Sequence, residues 1–289
     1  MAGGFSGGSA IIGDSTPSIA GYAAASWAKT TYCTGCSLAA TNPTGPSWLE
    51  MRNPVTCSAC PPTSDLVVDS LTGAGGTYVD THVLSAGFTP DGSTLYYVRN
   101  RQEPDPTTNE LVRAPTATPS ATTTLVSCDL ASVLDVSPDG KVFALASTWN
   151  LPGLQDGDLW IASTTVPDAH PAAYQSRFIA FTADSKQVLF WSSQAIQLWA
   201  DPVAGGTPTL FATGSVAGAG AFTLTGGRVL FYSDSSLYEW DSSTTNPPAL
   251  LGNLPSVPYS SSVSATKQFF VFVRRLPSQP DAIYAVPIP

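Results

Sequence analysis

The stretch VSPDGKVFALA (Val136–Ala146) decides the fold, because it joins a tight turn to a strand of alternating side chains. Within Pro-Asp-Gly, proline presets φ, aspartate accepts local hydrogen bonds, and glycine adopts a positive φ without strain. The residues after the turn have the alternation that is typical of a half-buried β-strand. The stretch therefore predicts a compact hairpin.

The same pattern recurs along the chain. An apolar residue, then Ser or Thr, a turn and a strand also begin at Phe88, Phe181, Phe222 and Val263, at spacings of about 41 to 48 residues. A weaker copy, Asn42–Asn53, precedes them in phase. A second strand follows every copy, and these strands are Asp65–Asp69, Glu110–Ala114, Asp158–Ala162, Ile196–Ala200, Leu237–Asp241 and Ala282–Val286. Most units also have a further short strand, so each supplies up to four.

Six such units predict an all-β protein, a six-bladed β-propeller of four-stranded antiparallel blades. A sandwich or a solenoid would also have short strands, but it would not repeat in phase six times. The last copy lacks an outer strand, and we expect residues 9–13 (Ser9–Gly13) to supply it and close the ring. The predicted organisation is a flexible leader, residues 1–8, followed by a single propeller domain, residues 9–289.

Composition and charge exclude several classes of protein. Only 11% of the residues are charged, and the chain has 24 Gly and 25 Pro, as turn-rich β-proteins do. Twelve Lys+Arg against 21 Asp+Glu give a net charge of −9, without a basic stripe, which argues against nucleic acid and anionic membrane surfaces as partners. No apolar run approaches the roughly 18 residues of a membrane span.

Two C-x-x-C pairs, Cys33–Cys36 and Cys57–Cys60, are the most informative local feature. They lie in loops of the first blade that emerge on the same face, so the four sulfurs could meet. A zinc ion held by Cys33, Cys36, Cys57 and Cys60 fits the spacing, and so do two disulfides. The surrounding small residues, Pro and Thr favour disulfides, and zinc is the one cofactor left open. We expect Cys128 to be a buried, unpaired thiol.

Residues for catalysis are few. The chain has two histidines, His82 and His170, too few to build a His-based metal site or triad with ease. The formal G-x-S-x-G around Ser6 lies in a glycine-rich leader without the strand and helix of a nucleophile elbow. We therefore expect no enzymatic activity.

The Thr/Ser-Pro-Asp-Gly turns after Phe88 and Val136, with the later Asp158–Ala162 strand (DLWIA), resemble the PD40 (WD40-like) repeats of the TolB-type propeller family. The resemblance extends from about residue 37 to residue 289 and is worn in the other repeats, where the turn becomes Ala-Asp-Ser, Leu-Thr-Gly or Ala-Thr-Lys. It implies a six-bladed extracytoplasmic propeller that binds proteins or small ligands in its funnel, and it carries over no catalytic residue. Similar propellers gate the peptidase domains of the prolyl oligopeptidase group.

The predicted function is accordingly a non-catalytic protein-interaction or scaffold propeller, periplasmic or extracellular, with an unidentified protein partner. No signal peptide is visible, and a mature secreted domain is favoured over a cytoplasmic protein. The alternatives are a propeller enzyme, a lyase or hydrolase acting at the funnel, and a structural subunit of a surface assembly.

Intact mass with and without reductant separates the two states of the cysteines. Two disulfides predict a gain of about four hydrogens on reduction and no bound metal, as expected outside the cytoplasm. An unchanged mass together with one zinc ion per chain would instead indicate the four-thiolate site.

Overall fold

The computed structural model describes residues 3–6, 9–13, 18–23, 29–56, 62–71, 75–100, 109–128, 130–147, 157–163, 170–192, 197–213, 220–233, 235–244, 246–256, 258, 260–264, 266–274 and 282–289. Within these ranges the chain forms strands and turns and no helix, which confirms the all-β prediction. None of the described residues belongs to a helix long and apolar enough to cross a membrane.

The described strands form five antiparallel sheets. The first has the order β1 (Gly3–Ser6), β2 (Ser9–Gly13), β3 (Ser18–Ala23), β4 (Lys29–Thr34). The second contains β5 (Cys36–Thr41), β6 (Ser47–Val55), β7 (Thr63–Ser70), β8 (Thr77–Phe88), β9 (Thr94–Asn100), β10 (Asn109–Pro115) and β11 (Thr123–Cys128). The third contains β12 (Leu130–Val136), β13 (Val142–Ser147), β14 (Gly157–Ser163), β15 (His170–Phe181), β16 (Gln187–Ser192), β17 (Gln197–Pro202) and β18 (Thr209–Thr213). The fourth contains β19 (Gly220–Thr223), β20 (Arg228–Ser233), β21 (Ser236–Asp241) and β22 (Ala249–Asn253), and the fifth β23 (Ser260–Val263), β24 (Phe269–Arg274) and β25 (Ala282–Pro287).

Two of the sheets have seven strands because one long strand serves two repeats. The first half of β8 pairs with β7, and its second half, Val83–Phe88, pairs with β9. His82, at the change of partner, has a φ of 53°. The second half of β15, Ser176–Phe181, pairs with β16 in the same way. The repeats predicted from sequence are therefore present as local groups of strands, although six blades of four strands each are not confirmed.

The N-terminal strands differ from the prediction. Residues 3–6, expected in a flexible leader, form β1, and β2 pairs with β1 on one edge and with β3 on the other. Both edges of Ser9–Gly13 are thus used inside its own sheet, and none of the described pairings joins it to β25. The sheets are open, and closure of a ring by residues 9–13 is not seen among the described strands.

Contacts divide the chain into two compact units. The first comprises residues 1–136, 145–152 and 162–170, and the second residues 137–144, 153–161 and 171–289. Each has its own apolar clusters. A cluster of the first unit contains Leu49, Leu66, Leu95 and Tyr97. The clusters of the second unit contain Leu198, Phe231, Trp240 and Phe270.

The turns before β6, β9, β13, β16 and β24 share one hydrogen-bond frame. The N–H of the first turn residue donates to the carbonyl five residues later in pairs Asn42–Ser47, Thr89–Thr94, Ser137–Val142, Thr182–Gln187 and Ser264–Phe269. The Ser or Thr hydroxyl also donates to the Asp two residues on, at 2.6 Å from Thr89 to Asp91. These bonds and those from Ser93 lower the pKa of Asp91. Local side-chain contacts therefore hold the turn that the sequence repeats.

In four of these five turns the fourth position has a left-handed backbone. Gly92 and Gly140 have φ values of 67° and 72°, and in the worn repeats Ser185 and Lys267 adopt 61° and 56°. At Gly92 a Cβ would meet the side chains of Asn42 and Thr44 in the neighbouring turn. Glycine is thus needed at that site for space as well as for φ.

Equivalent positions in five of the repeats differ in burial. In five repeats, the residue after β7, β10, β17, β21 or β25 donates its N–H to the turn that begins the preceding strand. These donors are Leu71, Thr116, Val203, Ser242 and Ile288. The residues five positions before these donors therefore occupy the same place in their repeats. Four of them are leucines, with exposed fractions of 0% (Leu66, Leu111, Leu198) and 1% (Leu237). The fifth, Ile283 in β25, is 76% exposed.

Lys267→Gly should stabilise the protein by up to about 1 kcal/mol, because glycine relieves the left-handed strain that a side chain meets at this turn position. Gly140→Lys, the reverse change at the equivalent position, should destabilise by about 1–2 kcal/mol. Urea unfolding at constant m-value measures both. A loss of stability in Lys267→Gly would show that the frame tolerates the side chain without strain.

Candidate functional site

A disulfide joins Cys33 at the end of β4 to Cys36 at the start of β5, with a Cα–Cα distance of 6.1 Å. Gly35 between them has a φ of 78°, which lets the chain reverse sharply from the first sheet into the second. Cys33 is half-buried, whereas Cys36 is almost fully buried. The bond therefore staples the beginning of β5 and presents one sulfur toward solvent.

Glu50 lies beside this disulfide. It is fully buried although its side chain is ionisable. In the β5–β6 pairing Glu50 is opposite Leu38, and Arg52 is opposite Cys36. The sulfurs of Cys33 and Cys36 and a carboxylate oxygen of Glu50 all lie within 4.8 Å of one another. The pairing register of two strands thus gathers groups that are distant in sequence.

The two oxygens of Glu50 have different surroundings. The guanidinium of Arg52 donates to Oε1, whereas the buried Oε2 has no hydrogen-bond partner among the described residues. Burial raises the pKa of Glu50, and the hydrogen bond and charge of Arg52 act in the opposite direction. A carboxyl group with one oxygen unsatisfied remains next to the two sulfurs.

Apolar and aromatic side chains surround these groups. Ile19, Cys36, Leu38 and Trp48 form a buried cluster, and Tyr32 packs on Trp48 with ring centroids 4.9 Å apart. This wall withholds water from the carboxyl group, and this burial raises the pKa of Glu50, whereas the Trp48 side chain acts in the opposite direction.

The structure places the predicted cysteines unevenly. For Cys33 and Cys36 it supports the disulfide alternative, with both partners inside one C-x-x-C pair. Cys57 and Cys60 lie outside the described residues, so the state of that pair and the four-thiolate zinc site stay predictions. The side chain of Cys128, at the end of β11, is likewise not described. Sequence analysis missed Glu50, although an acid on the same strand face as Trp48 was a usable signal.

A second polar cluster lies where the first two complete repeats meet. Arg99 donates to Glu110 Oε2 from Nε and Nη2, at 3.0 and 2.9 Å, and also to Asp80. The hydroxyl of Tyr97, a fully buried residue, donates to Asp80 Oδ2 at 2.7 Å. Burial, followed by the hydrogen bond to Asp80, raises the pKa of Tyr97. The groups satisfy one another, as expected of a structural network.

His82, one of the two histidines of the chain, lies next to this cluster. Its Nδ1 is 3.0 Å from the hydroxyl of Thr81, and its positive φ marks the bend in β8. The side chains of His170 and Ser6 are not described. Among the described side chains, His82 therefore lies at a strand bend, where its hydrogen-bond contact is with the hydroxyl of the adjacent Thr81.

An open cavity of about 250 Å³ lies in the second unit, with walls of Phe211, Thr213, Phe231, Ser233, Tyr238 and Pro248. Phe231 and Tyr238 are stacked at 5.2 Å. The volume is below the roughly 300 Å³ at which ligand pockets begin. Its aromatic walls belong to the packing between neighbouring repeats.

No family model matches the chain, and no curated protein matches its sequence. Solved structures do match. A prolyl endopeptidase matches with a TM-score of 0.59 and 14% identity, over 99% of this chain and 48% of that chain. The β-propeller domain of the Trilobed protease from Pyrococcus furiosus matches with a TM-score of 0.50 and 12% identity, over 99% of this chain and 92% of that chain. TolB from Acinetobacter baumannii matches with a TM-score of 0.41 and 14% identity, over 96% and 75%.

These identities establish a likeness of fold alone. The class that the sheets and the first two matches define is an all-β protein with a propeller-like fold. The chain spans about half the length of the prolyl endopeptidase that it matches.

Arg99→Met should destabilise the protein by about 3–5 kcal/mol, because it leaves the buried Glu110 and the half-buried Asp80 without a counterion. Arg228→Met is the matched control, since the Arg228–Glu239 pair is more exposed and its loss should cost less than about 1 kcal/mol. Urea unfolding measures both. Equal, small losses would show that the Arg99 cluster is solvated in solution.

Proposed function

We propose that this protein is a non-catalytic, extracytoplasmic propeller scaffold that binds a partner protein through the exposed face of its last sheet. The observation that carries the proposal is the exposure of Ile283 at a position where four other repeats have a buried leucine. A contiguous exposed apolar face is a mark of protein–protein contact.

The last-sheet face consists of Phe269, Val271, Val273, Ile283 and Ala285, which lie on one side of paired strands β24 and β25. Phe269 is 43% exposed, and Val271 and Val273 are half-buried. The opposite side is different, because Phe270 and Phe272 are buried in the cluster that contains Leu230 and Leu237. One side of this sheet therefore has its packing partner and the other presents apolar atoms to solvent.

The other repeats indicate what fits such a face. Leu198 shares its buried cluster with Val229, Phe231 and Trp240, which come from the sheet of the following repeat. The face carries no charged side chain, so complementarity would come from shape and apolar burial. We therefore propose that the partner contributes an apolar β-sheet face with aliphatic and aromatic side chains.

The Cys33–Cys36 disulfide supports an extracytoplasmic location, because disulfides persist in oxidising compartments and are rare in the cytosol. The PD40-like turns support a TolB-like scaffold in the periplasm or outside the cell. The net charge of −9 fits a scaffold that stays in solution until it meets its partner.

A second candidate comes from the match to a prolyl endopeptidase, in which this chain corresponds to 48% of that chain. The protein would then be the propeller companion of a peptidase domain. In that case the face should bind a catalytic α/β domain, and peptidase activity should accompany the bound partner.

Photo-crosslinking tests the scaffold proposal in the cells that produce the protein. A benzophenone amino acid at Phe269 should give an adduct with another protein, and Ile283→Asp should reduce that adduct at least about tenfold, because it places an unpaired charge in an apolar contact. The same probe at Leu250, exposed on β22, is the matched control and should give no such adduct. Mass spectrometry of the adduct then identifies the partner.

The stability of the purified Ile283→Asp variant separates the alternatives. It should change by less than about 0.5 kcal/mol, because the side chain is exposed. A loss of several kcal/mol, with adducts only within one chain, would overturn the proposal by placing the face inside the folded monomer. An adduct with a second copy would favour the structural-assembly alternative.

A further inference from the structure

Glu50 is one of several buried polar side chains in the described part of the chain with an atom that lacks a hydrogen-bond partner, and it is the one that lies beside the disulfide. Its side chain has no exposed surface, and its Oε2 has no hydrogen-bond partner among the described residues. A buried carboxylate oxygen without a partner destabilises the folded state. The carboxylate and the sulfurs of Cys33 and Cys36 lie within 4.8 Å of one another, which is close enough to share one ion.

We propose that Cys33, Cys36 and Glu50 form a redox-gated site for Zn²⁺, which the ion enters after the disulfide is reduced. The site differs from a four-thiolate site because it does not need Cys57 or Cys60. It lies around the turn between the first two sheets and not on β24 or β25, so it does not involve the proposed partner-binding face. The scaffold proposal uses the same disulfide only as a mark of an oxidising compartment.

The gating step balances with an external dithiol as reductant. The dithiol gives two electrons and two protons, the Cys33–Cys36 bond breaks, two thiols form, and the reductant becomes a disulfide. Zn²⁺ then displaces one proton from each thiol, and one from Glu50 where that group is protonated, and these protons pass to solvent. Reoxidation reverses the sequence and expels the ion.

The chemistry of the three groups suits zinc. Thiolates and a carboxylate are ordinary zinc ligands, and three protein ligands leave a fourth tetrahedral position for water or another donor. Two thiolates and one carboxylate carry three negative charges, which Zn²⁺ and the adjacent guanidinium of Arg52 would neutralise together. The contact of Arg52 with Oε1 orients the carboxyl group beside the two sulfurs.

The turn between Cys33 and Cys36 is suited to reversible opening of the disulfide. The half-buried Cys33 gives a reductant access to the bond. Gly35 has no other atom within 4 Å of the place where a Cβ would be, so the turn can adjust as the sulfurs separate. Trp48 and Leu38 exclude water behind the site, which strengthens the interaction of the ligands with the ion.

The test uses the full-length chain with Cys57, Cys60 and Cys128 replaced by Ser, so that Cys33 and Cys36 are the remaining cysteines. The protein is reduced with a phosphine and titrated with Zn²⁺ against a chromophoric chelator. We expect one ion per chain, no binding to the oxidised form, and at least about a tenfold loss of affinity on adding Glu50→Gln. Glu239→Gln is the matched control, because Glu239 also pairs with an arginine, and it should leave the affinity for Zn²⁺ unchanged.

Cobalt substitution provides a gain of signal that does not depend on the folding of Glu50→Gln. Two thiolates should give a thiolate-to-metal absorption band, and Glu50→Cys should raise its intensity by roughly one half, because a third thiolate joins the ion. Absence of stoichiometric zinc in the reduced triple variant would overturn the proposal. So would an unchanged affinity in Glu50→Gln, or a cobalt spectrum that Glu50→Cys leaves unaltered.

Discussion

The structure depends on the need of each small antiparallel sheet to bury its second face. A group of four strands has one apolar side against the preceding repeat, and its other side must be covered by the next. Leu66, Leu198 and Leu237 meet that need in three repeats, where they share clusters with side chains of the repeat that follows. Because no single repeat has a closed core of its own, stability comes from the series.

The repeated turn serves this packing by fixing the register of each group. Its hydrogen bonds set where the strand after the turn begins. The N–H donated by the residue after the next strand, such as Thr116 after β10, ties that strand to the same turn. A slip of one residue would move Leu198 to the opposite face of its sheet. Retention of the frame around Ser185 and Lys267, where the Pro-Asp-Gly sequence is worn, indicates that the backbone bonds matter more than the consensus residues.

Local features of the fold could be predicted from the sequence, because turn chemistry and strand alternation act over a few residues. Thr89, Ser137 and Thr182 begin the turns that were expected, and the strands after them agree with the pattern. The sheet β1–β4 was missed because its Gly, Ala and Ser residues carry little alternation, and the pairing of β2 with β1 and β3 is tertiary. The proximity of Glu50 to the disulfide depends on strand register and on a backbone reversal at Gly35, which no spacing rule encodes.

Three arginines of the described strands form ion pairs with acids on the same or the neighbouring strand. Glu110 is held by Arg99 on the neighbouring strand, and Glu239 by Arg228. In the first case a second acid, Asp80, and a tyrosine hydroxyl complete the network. Glu50 has the same kind of cation in Arg52, but one of its carboxylate oxygens also lies within 4.8 Å of the sulfurs of Cys33 and Cys36. Since a buried acid is retained only where something compensates for its desolvation, the exception among these pairs is where an additional ligand is to be sought.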